Sequence, residues 1–396
     1  MLYRLTADSW DERERAAITS VVQSGQLTMG PRTAQFERAF AKYLGRKFAV
    51  MVNSGSSANL VGVASLFYRA KNPLKVGDEV IVPAVSWSTT YCPLQQYGLK
   101  LRFVDVELDT LNMDTAQLDA ALTSRTRMIV GVSILGNPAA LDVMRKFADF
   151  HGLIFFEDNC ESLGAELDGK KTGTFGDVST FSTFYSHHIS TVEGGMLTTD
   201  DPELYALAKS IRAHGWARDV PRIAGVYKPE DCNGDFERAY RFIVPGYNVR
   251  PQEINAAVGL VQLDKLPEMI KARRKNLVLF QALFKNDERF TIQRENGVSS
   301  SFCFPIIINP EIVYLGPDLI RNRVARRLWD ADIETRMITG GCFPRHEVIR
   351  YFDFETVGLL PAANIVHDFG FFVGNHPFSL DEQICRLYQV LDEACK

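Results

Sequence analysis

The sequence predicts an α/β protein: a large, mainly parallel sheet covered by helices on both faces, followed by a smaller α+β unit. Three observations point there. Short, continuously apolar runs rich in β-branched residues alternate with helical patterns between about residues 48 and 158. From Glu253 that alternation gives way to one long helical stretch and a few scattered strands. The chain of 396 residues, 46% hydrophobic and 23% charged, has the balance of a globular protein long enough to bury a large core and a second, smaller one.

Taken in order, apolar residues at helical spacing run from about Trp10 to Val22, with Asp8 or Ser9 as N-cap, and again from Ala34 to Leu44, stopped by Gly45. The strands are then read as "FAVMV" (48–52), "EVIVP" (79–83), "LRFVDV" (101–106), "MIVGVSI" (128–134) and "LIFFED" (153–158), separated by helical patterns such as 58–69 and 140–150. In "GTFGDVSTFSTFYSHHISTVEGG" a strand rich in Thr, Phe and Ser is expected to run into His187 and His188. Strand geometry would send the two imidazoles to opposite sides, leaving one for any given pocket. Beyond Phe284 follow "FTIQ", "CFPIIIN", a basic helix "LIRNRVARRLWDAD" and a closing helix from Leu380. Arg321, Arg323, Arg326 and Arg327 could face a phosphorylated ligand, but we read them as a solvated helix face. The chain divides into residues 1–260, the large α/β domain with its N-terminal helix, and 261–396, an α+β domain that begins inside the long helix near Val261.

A formal net charge of −4 does not suggest a nucleic-acid or membrane-surface partner. The N-terminus becomes charged before an apolar export segment can form, and no apolar run approaches the ~20 residues of a membrane span. Seven cysteines, Cys92, Cys160, Cys232, Cys303, Cys342, Cys385 and Cys395, are scattered without C-x-x-C or C-x-C spacing, which fits reduced thiols in a cytoplasm.

Two stretches carry candidate chemistry on their own. "NSGSSANL" (53–60) follows a strand and opens a helix, so the backbone N–H groups of Gly55 and Ser56 can receive an anion such as phosphate, or the turn can be a simple N-cap. "LIFFEDNCES" ends a buried strand in two carboxylates, placing Glu157 or Asp158 where ligands sit in parallel sheets. A carboxylate there needs a cation or hydrogen bonds, and the flanking residues lack a convincing set of metal ligands.

The order "SGQLTMGPRTAQFERAFAKYLG", "NSGSSAN", "VPAVSWSTT", "EDNCESLGA", "GTFGDVSTFSTF", "EGGML", "RAHGW" and "GYNVRPQEINAA" resembles the DegT/DnrJ/EryC1/StrS sugar aminotransferase family of fold type I pyridoxal-phosphate enzymes, most firmly over residues 24–262. The resemblance implies that Asp158 pairs with the pyridinium nitrogen, that Gly55, Ser56 and Ser182 cradle the phosphate, and that Trp87 stacks on the ring. It implies that Asn248 reaches the phosphate of a neighbouring subunit, hence a homodimer with shared sites.

One position departs from the family's aminotransferases. Their Schiff-base lysine lies six residues before the Glu of "EGG"; here that position is His187, and no lysine occurs between Lys171 and Lys209. A lysine both tethers the aldehyde and moves the proton, whereas an imidazole, with an ordinary pKa of about 6.5, keeps only the proton transfer. The resemblance therefore narrows to the His-bearing 3-dehydratase branch: lyases that remove the C3 hydroxyl of a nucleotide-linked 4-keto-6-deoxyhexose. It implies GDP-4-keto-6-deoxymannose as substrate, L-glutamate as the amine source, and pyridoxal or pyridoxamine phosphate bound without a covalent link. Lys170 and Lys171 fall in an expected turn before the strand and do not replace the missing lysine. The iron–sulfur members use a close C-x-C set, which is absent, so no cluster is expected.

Glu161 stands where many relatives have Gln and either assists hydroxyl departure or supports the neighbours of Trp87. The resemblance brings His214 of "RAHGW", and Glu334 and Arg336 of "IETRM", toward substrate, while His188 is read as structural. An aminotransferase with a lysine from elsewhere, or an inactive member kept as a regulator, are the alternatives; retention of Asp158, Ser182, Trp87 and Asn248 speaks against the second.

Overall fold

The computed structural model describes residues 2–218, 220, 234–313 and 320–396. Cys232 and Leu319 lie outside them. In chain order the strands are β1 (Phe48–Val52), β2 (Glu79–Pro83), β3 (Lys100–Val104), β4 (Thr126–Val132), β5 (Ile154–Asp158), β6 (Glu166–Leu167), β7 (Lys170–Lys171), β8 (Val178–Ser182), β9 (Gly195–Thr199), β10 (Phe290–Ile292), β11 (Cys303–Ile308), β12 (Phe354–Thr356) and β13 (Gly370–Gly374). The helices are α1 (Glu12–Ser24), α2 (Pro31–Leu44), α3 (Gly55–Tyr68), α4 (Ser88–Gln96), α5 (Leu118–Ala121), α6 (Leu141–His151), α7 (Pro202–Ile211), α8 (Asp235–Ala239), α9 (Glu253–Phe284), α10 (Ile320–Asp330), α11 (Pro361–Phe369) and α12 (Asp381–Ala394).

Eight strands form one sheet in the order β1-β9-β8-β5-β4-β2-β3-β12. Neighbours are parallel except around β9, which runs antiparallel to both β1 and β8. The apolar runs predict this arrangement because strands buried on both faces have no polar side to show. Tyr91, Phe103 and Phe156 are fully or almost fully buried on one face; Ile81, Ile129 and Phe155 fill the core on the other. The strand "LRFVDV" stops at Val104 because the Asp105 carboxylate accepts from the N–H groups of Ala362 and Ala363 at 2.9 and 2.8 Å, in the first turn of α11.

The N-terminal helix starts later than its sequence suggests. Its N-cap is Asp11, which accepts from Arg13 N while Glu14 returns a bond to Asp11 N, a complete capping box. Asp8 instead makes a local turn to Trp10 N, and the Ser9 hydroxyl is spent on Gln262. Buried Glu14 then ties α1 to α9 through Lys265 and Gln262, both at 2.7 Å.

The second sheet is antiparallel, β10-β11-β13. Its core is built from Phe280 and Phe284 of α9, Phe304 of β11, Val324 and Leu328 of α10, and Leu387 and Leu391 of α12. Tyr3 from the chain's start enters this core and bonds the Gly374 carbonyl, while β12 joins the edge of the large sheet and α11 packs against β11 and β13. Among the described residues no helix is long and apolar enough to cross a membrane.

Candidate active site

A cavity of about 350 Å³ opens where β1, β2, β4, β5 and β8 end, all at one edge of the sheet. That edge is where α/β sheets bind ligands. Gly55, Ser56, Trp87, Asp158, Glu161, Ser182, His187 and Arg336 all line it, brought together from positions up to the far end of the chain.

The floor at one end is a turn. Ser54 caps α3 by accepting from Ser57 N at 3.1 Å, leaving the first N–H groups of the helix, on Gly55 and Ser56, facing the cavity without intrahelical partners. Glycine is required here for space. A Cβ on Gly55 would lie 2.7 Å from Ser182 Cβ and 2.9 Å from Cys160 Sγ, and one on Gly195 would strike the Ser54 carbonyl. The "EGG" of the sequence is therefore the strand start that lets β9 pass directly beneath the anion turn.

Asp158 closes β5 and Glu157 precedes it, and strand alternation sends them to opposite faces. Glu157 is buried and accepts from the N–H groups of Gly173 and Phe175, each at 2.7 Å, so it organises the 173–176 turn. Asp158 faces the cavity. Its Oδ2 accepts from Asn59 Nδ2 at 2.9 Å and Thr90 Oγ1 at 2.8 Å, and Oδ1 accepts from Cys160 N at 3.1 Å. Among the described residues these hydrogen bonds hold it, and they fix the carboxylate's direction.

Trp87 leads into α4, half-exposed, with the Arg336 guanidinium 5.5 Å over its ring. Glu161 accepts from Leu135 N at 2.9 Å. Burial pushes its carboxyl up to about 7; nearby Asp158 adds to the rise, and the Leu135 N–H and Arg336 oppose it.

The histidine pair lies in a loop, which corrects the reading of a strand running through it. β8 ends at Ser182 because its partner β9 begins only at Gly195. Beyond that point Thr183 N bonds Gly194 O, the Thr183 and Thr191 hydroxyls meet at 2.6 Å, and His187 N turns back on Phe184 O. The two imidazoles nonetheless part. His188 is buried with Nε2 3.2 Å from the Ser300 carbonyl, whereas His187 lines the cavity, its ring 5.1 Å from that of Phe302 and its Nδ1 without a partner among the described residues. Burial, joined by the charges of Arg273 and Arg336, holds His187 down to about 3.

Three residues named from the sequence lie outside this chain's cavity. Asn248 is exposed and accepts from Arg250 Nε at 3.0 Å. His214 packs 4.7 Å from Trp216, and Glu334 caps Leu5 N at 2.9 Å. Lys170 and Lys171 form β7 of a small hairpin, with the Lys171 ammonium over Tyr43, and among the described residues no lysine lines the cavity. Sequence reading missed Asn59, Thr90, Phe302 and Thr339. Asn59 carried a signal, since it stands one helical turn beyond Ser56 and so on the same face. Phe302 carried none.

A doubly covered, mainly parallel sheet, an anion turn at the start of a helix and a fixed carboxylate at the end of the central strand define a fold type I pyridoxal-phosphate enzyme. The chain belongs to the DegT/DnrJ/EryC1/StrS aminotransferase family, matched over residues 8–386. It is 45% identical over 390 residues, 98% of each chain, to GDP-4-keto-6-deoxy-D-mannose 3-dehydratase of Yersinia pseudotuberculosis. A solved E. coli GDP-4-keto-6-deoxy-D-mannose-3-dehydratase with bound hydrated PLP aligns with TM-score 0.94 at 46% identity, covering 99% of this chain and 100% of that one. A GDP-4-keto-6-deoxymannose-3-dehydratase with a trapped PLP-glutamate geminal diamine aligns with TM-score 0.92 at 45% identity, covering 98% and 100%.

Proposed function

We propose that this chain is a nucleotide-sugar 3-dehydratase that removes the C3 hydroxyl of GDP-4-keto-6-deoxymannose to give the 4-keto-3,6-dideoxy sugar. The observation that carries the reading is His187 facing a cavity that no lysine lines among the described residues, in a chain similar over 98% of its length to enzymes of that name. The residues fit pyridoxamine phosphate: a turn closed to any Cβ at Gly55, a carboxylate aimed inward at Asp158, and an imidazole nitrogen without a partner at His187. Bound there, the coenzyme supplies the amine that engages the C4 ketone and the ring that draws electrons away from the reacting carbon.

The chain's own residues do the rest. The N–H groups of Gly55 and Ser56 and the Ser182 hydroxyl hold the phosphate, and Asp158 keeps the pyridinium protonated. Trp87 covers one ring face. His187, neutral at physiological pH, takes the proton from the coenzyme's C4′ carbon, and Glu161, protonated over part of that range, gives one to the departing hydroxyl, which leaves as water. With His187 at the lysine's position and no lysine lining the cavity among the described residues, the coenzyme is held without a covalent tether. L-Glutamate restores the amine form and leaves as 2-oxoglutarate; hydrolysis of the unsaturated amino sugar releases ammonia. Asn248, exposed on its own chain, completes the phosphate site of a partner copy, so the working unit is a homodimer. Six unpaired cysteines among the described residues and a nucleotide-sugar substrate fit work in the cytoplasm.

Incubation with GDP-4-keto-6-deoxymannose, pyridoxal phosphate and L-glutamate is expected to give a sugar lighter by the C3 oxygen, with equal 2-oxoglutarate and ammonia. An amino sugar retaining that oxygen would make the chain an aminotransferase instead.

A further inference from the structure

Behind the His187 loop lies an unusual group. Arg273, on α9, is 4% exposed, yet none of the described residues pairs with it as a carboxylate. Its Nη1 donates to the carbonyls of Phe302 (3.0 Å) and Asn375, and its Nε has no partner among the described residues. Burying a guanidinium is costly without a counter-ion, so its retention here calls for a compensating role.

Its surroundings indicate one. The backbone that Arg273 grips belongs to Phe302, whose ring stands 5.1 Å from His187 and 5.7 Å from His188. We propose that Arg273 is a positioning residue: its buried, uncompensated guanidinium keeps the His187 imidazole neutral, and its grip on Phe302 keeps that imidazole turned to the cavity. This rests on His187 being the base of the proposed reaction.

The electrostatics agree in sign. A second cation beside a buried guanidinium is disfavoured, and burial together with Arg273 depresses His187, His188 and His376 alike. The charged and titratable groups around His187 are Arg273 from α9, Arg336 from the segment beside β13, His188 from its own loop, and Glu161, Asp158 and Glu193 across the cavity. Arg273 itself is drawn down only to about 10, so it stays charged wherever the enzyme works. An imidazole that protonated near pH 6.5 would lose part of its base form just below neutrality; Arg273 moves that loss to lower pH.

The test is histidine titration by NMR in the full-length protein loaded with pyridoxal phosphate, the His187 signal assigned by its loss in His187→Asn. The native midpoint is expected well below the ordinary value of about 6.5, and a midpoint at or above it overturns the proposal. Arg273→Gln, which removes the charge, is expected to raise the midpoint by about one pH unit or more, tenfold in proton affinity, and to carry the acid limb of kcat/KM with it. Arg273→Lys, which keeps the charge, is expected to hold the midpoint low. A second route leaves Arg273 in place: Cys303→Asp sets a carboxylate beside it and is expected to raise the midpoint too. Equal shifts in the Gln and Lys variants, or none in any variant, reduce Arg273 to a packing tie. Titrations as expected in a protein that fails to dehydrate would place the failure in the proposed reaction, not in Arg273.

Discussion

Glu161 is the side chain whose chemistry depends most on where the fold puts it. In the unfolded chain its carboxyl titrates near 4.5; in the cavity burial lifts it to about 7. The fold thus favours the protonated form, and the stability this contributes is complete below about pH 4.5 and lost as pH climbs through about 7. Glu161→Gln keeps an acceptor for Leu135 N but cannot ionise. Coenzyme-free variant and parent should match at pH 4, diverge as pH rises from about 4.5 to about 7, and keep a constant gap beyond, the variant being more stable by on the order of 3 kcal/mol at pH 9 in urea melts. The same change removes a proton donor, so dehydration should fall by about 10²-fold while 2-oxoglutarate formation in the first turnover persists. Equal losses in both half-reactions would assign Glu161 to support of the cavity wall. Residue identity alone pointed to Glu161 and His187, because a motif fixes which side chain stands at a counted position. It could not supply their ionisation, which is set first by burial in the assembled cavity and then adjusted by Leu135, Arg336 and Arg273 arriving from distant segments.

Elements explain what residue patterns left open. Sequence periodicity located β1, β2, β4 and β5 to within a residue or two because their apolar runs are uninterrupted. The Thr- and Ser-rich segment 182–194 has no such rhythm, and whether it stays extended depends on a partner strand that begins thirteen residues later in the chain than β8 ends. That partner, β9, also fixes the anion turn, since its first residue lies against Ser54. Gly195→Ala would place a methyl inside the Ser54 carbonyl's contact shell. Overpacking of this kind costs about 1–3 kcal/mol and displaces backbone, so pyridoxal phosphate affinity, followed by its absorbance during dialysis, should fall at least about tenfold. Unchanged affinity would mean that the turn is not where the phosphate is held.

At the scale of the whole molecule the fold class was legible in the segments themselves, whereas a shared site was legible only through the resemblance. A doubly covered sheet follows from buried strands alternating with helices, a property each segment displays by itself. In the proposed reading, where Asn248 acts is a property of an assembly. On its own chain it is exposed beyond the cavity, in a stretch that also exposes Phe236, Tyr240 and Phe242. If a partner copy supplies Asn248 to a site whose His187 is its own, the two residues of one working site come from different chains. His187→Asn and Asn248→Ala homodimers should then each be impaired, the first as a base, the second through weaker phosphate binding. In a mixed dimer one site carries both lesions and the other carries neither. Random mixing makes about half the dimers mixed, so about a quarter of all sites should be intact, and co-expressing the two chains should restore activity toward about a quarter of the parent's. Were each site built from one chain, every site in the mixture would carry one lesion, and activity would stay at the mean of the two parents' homodimers.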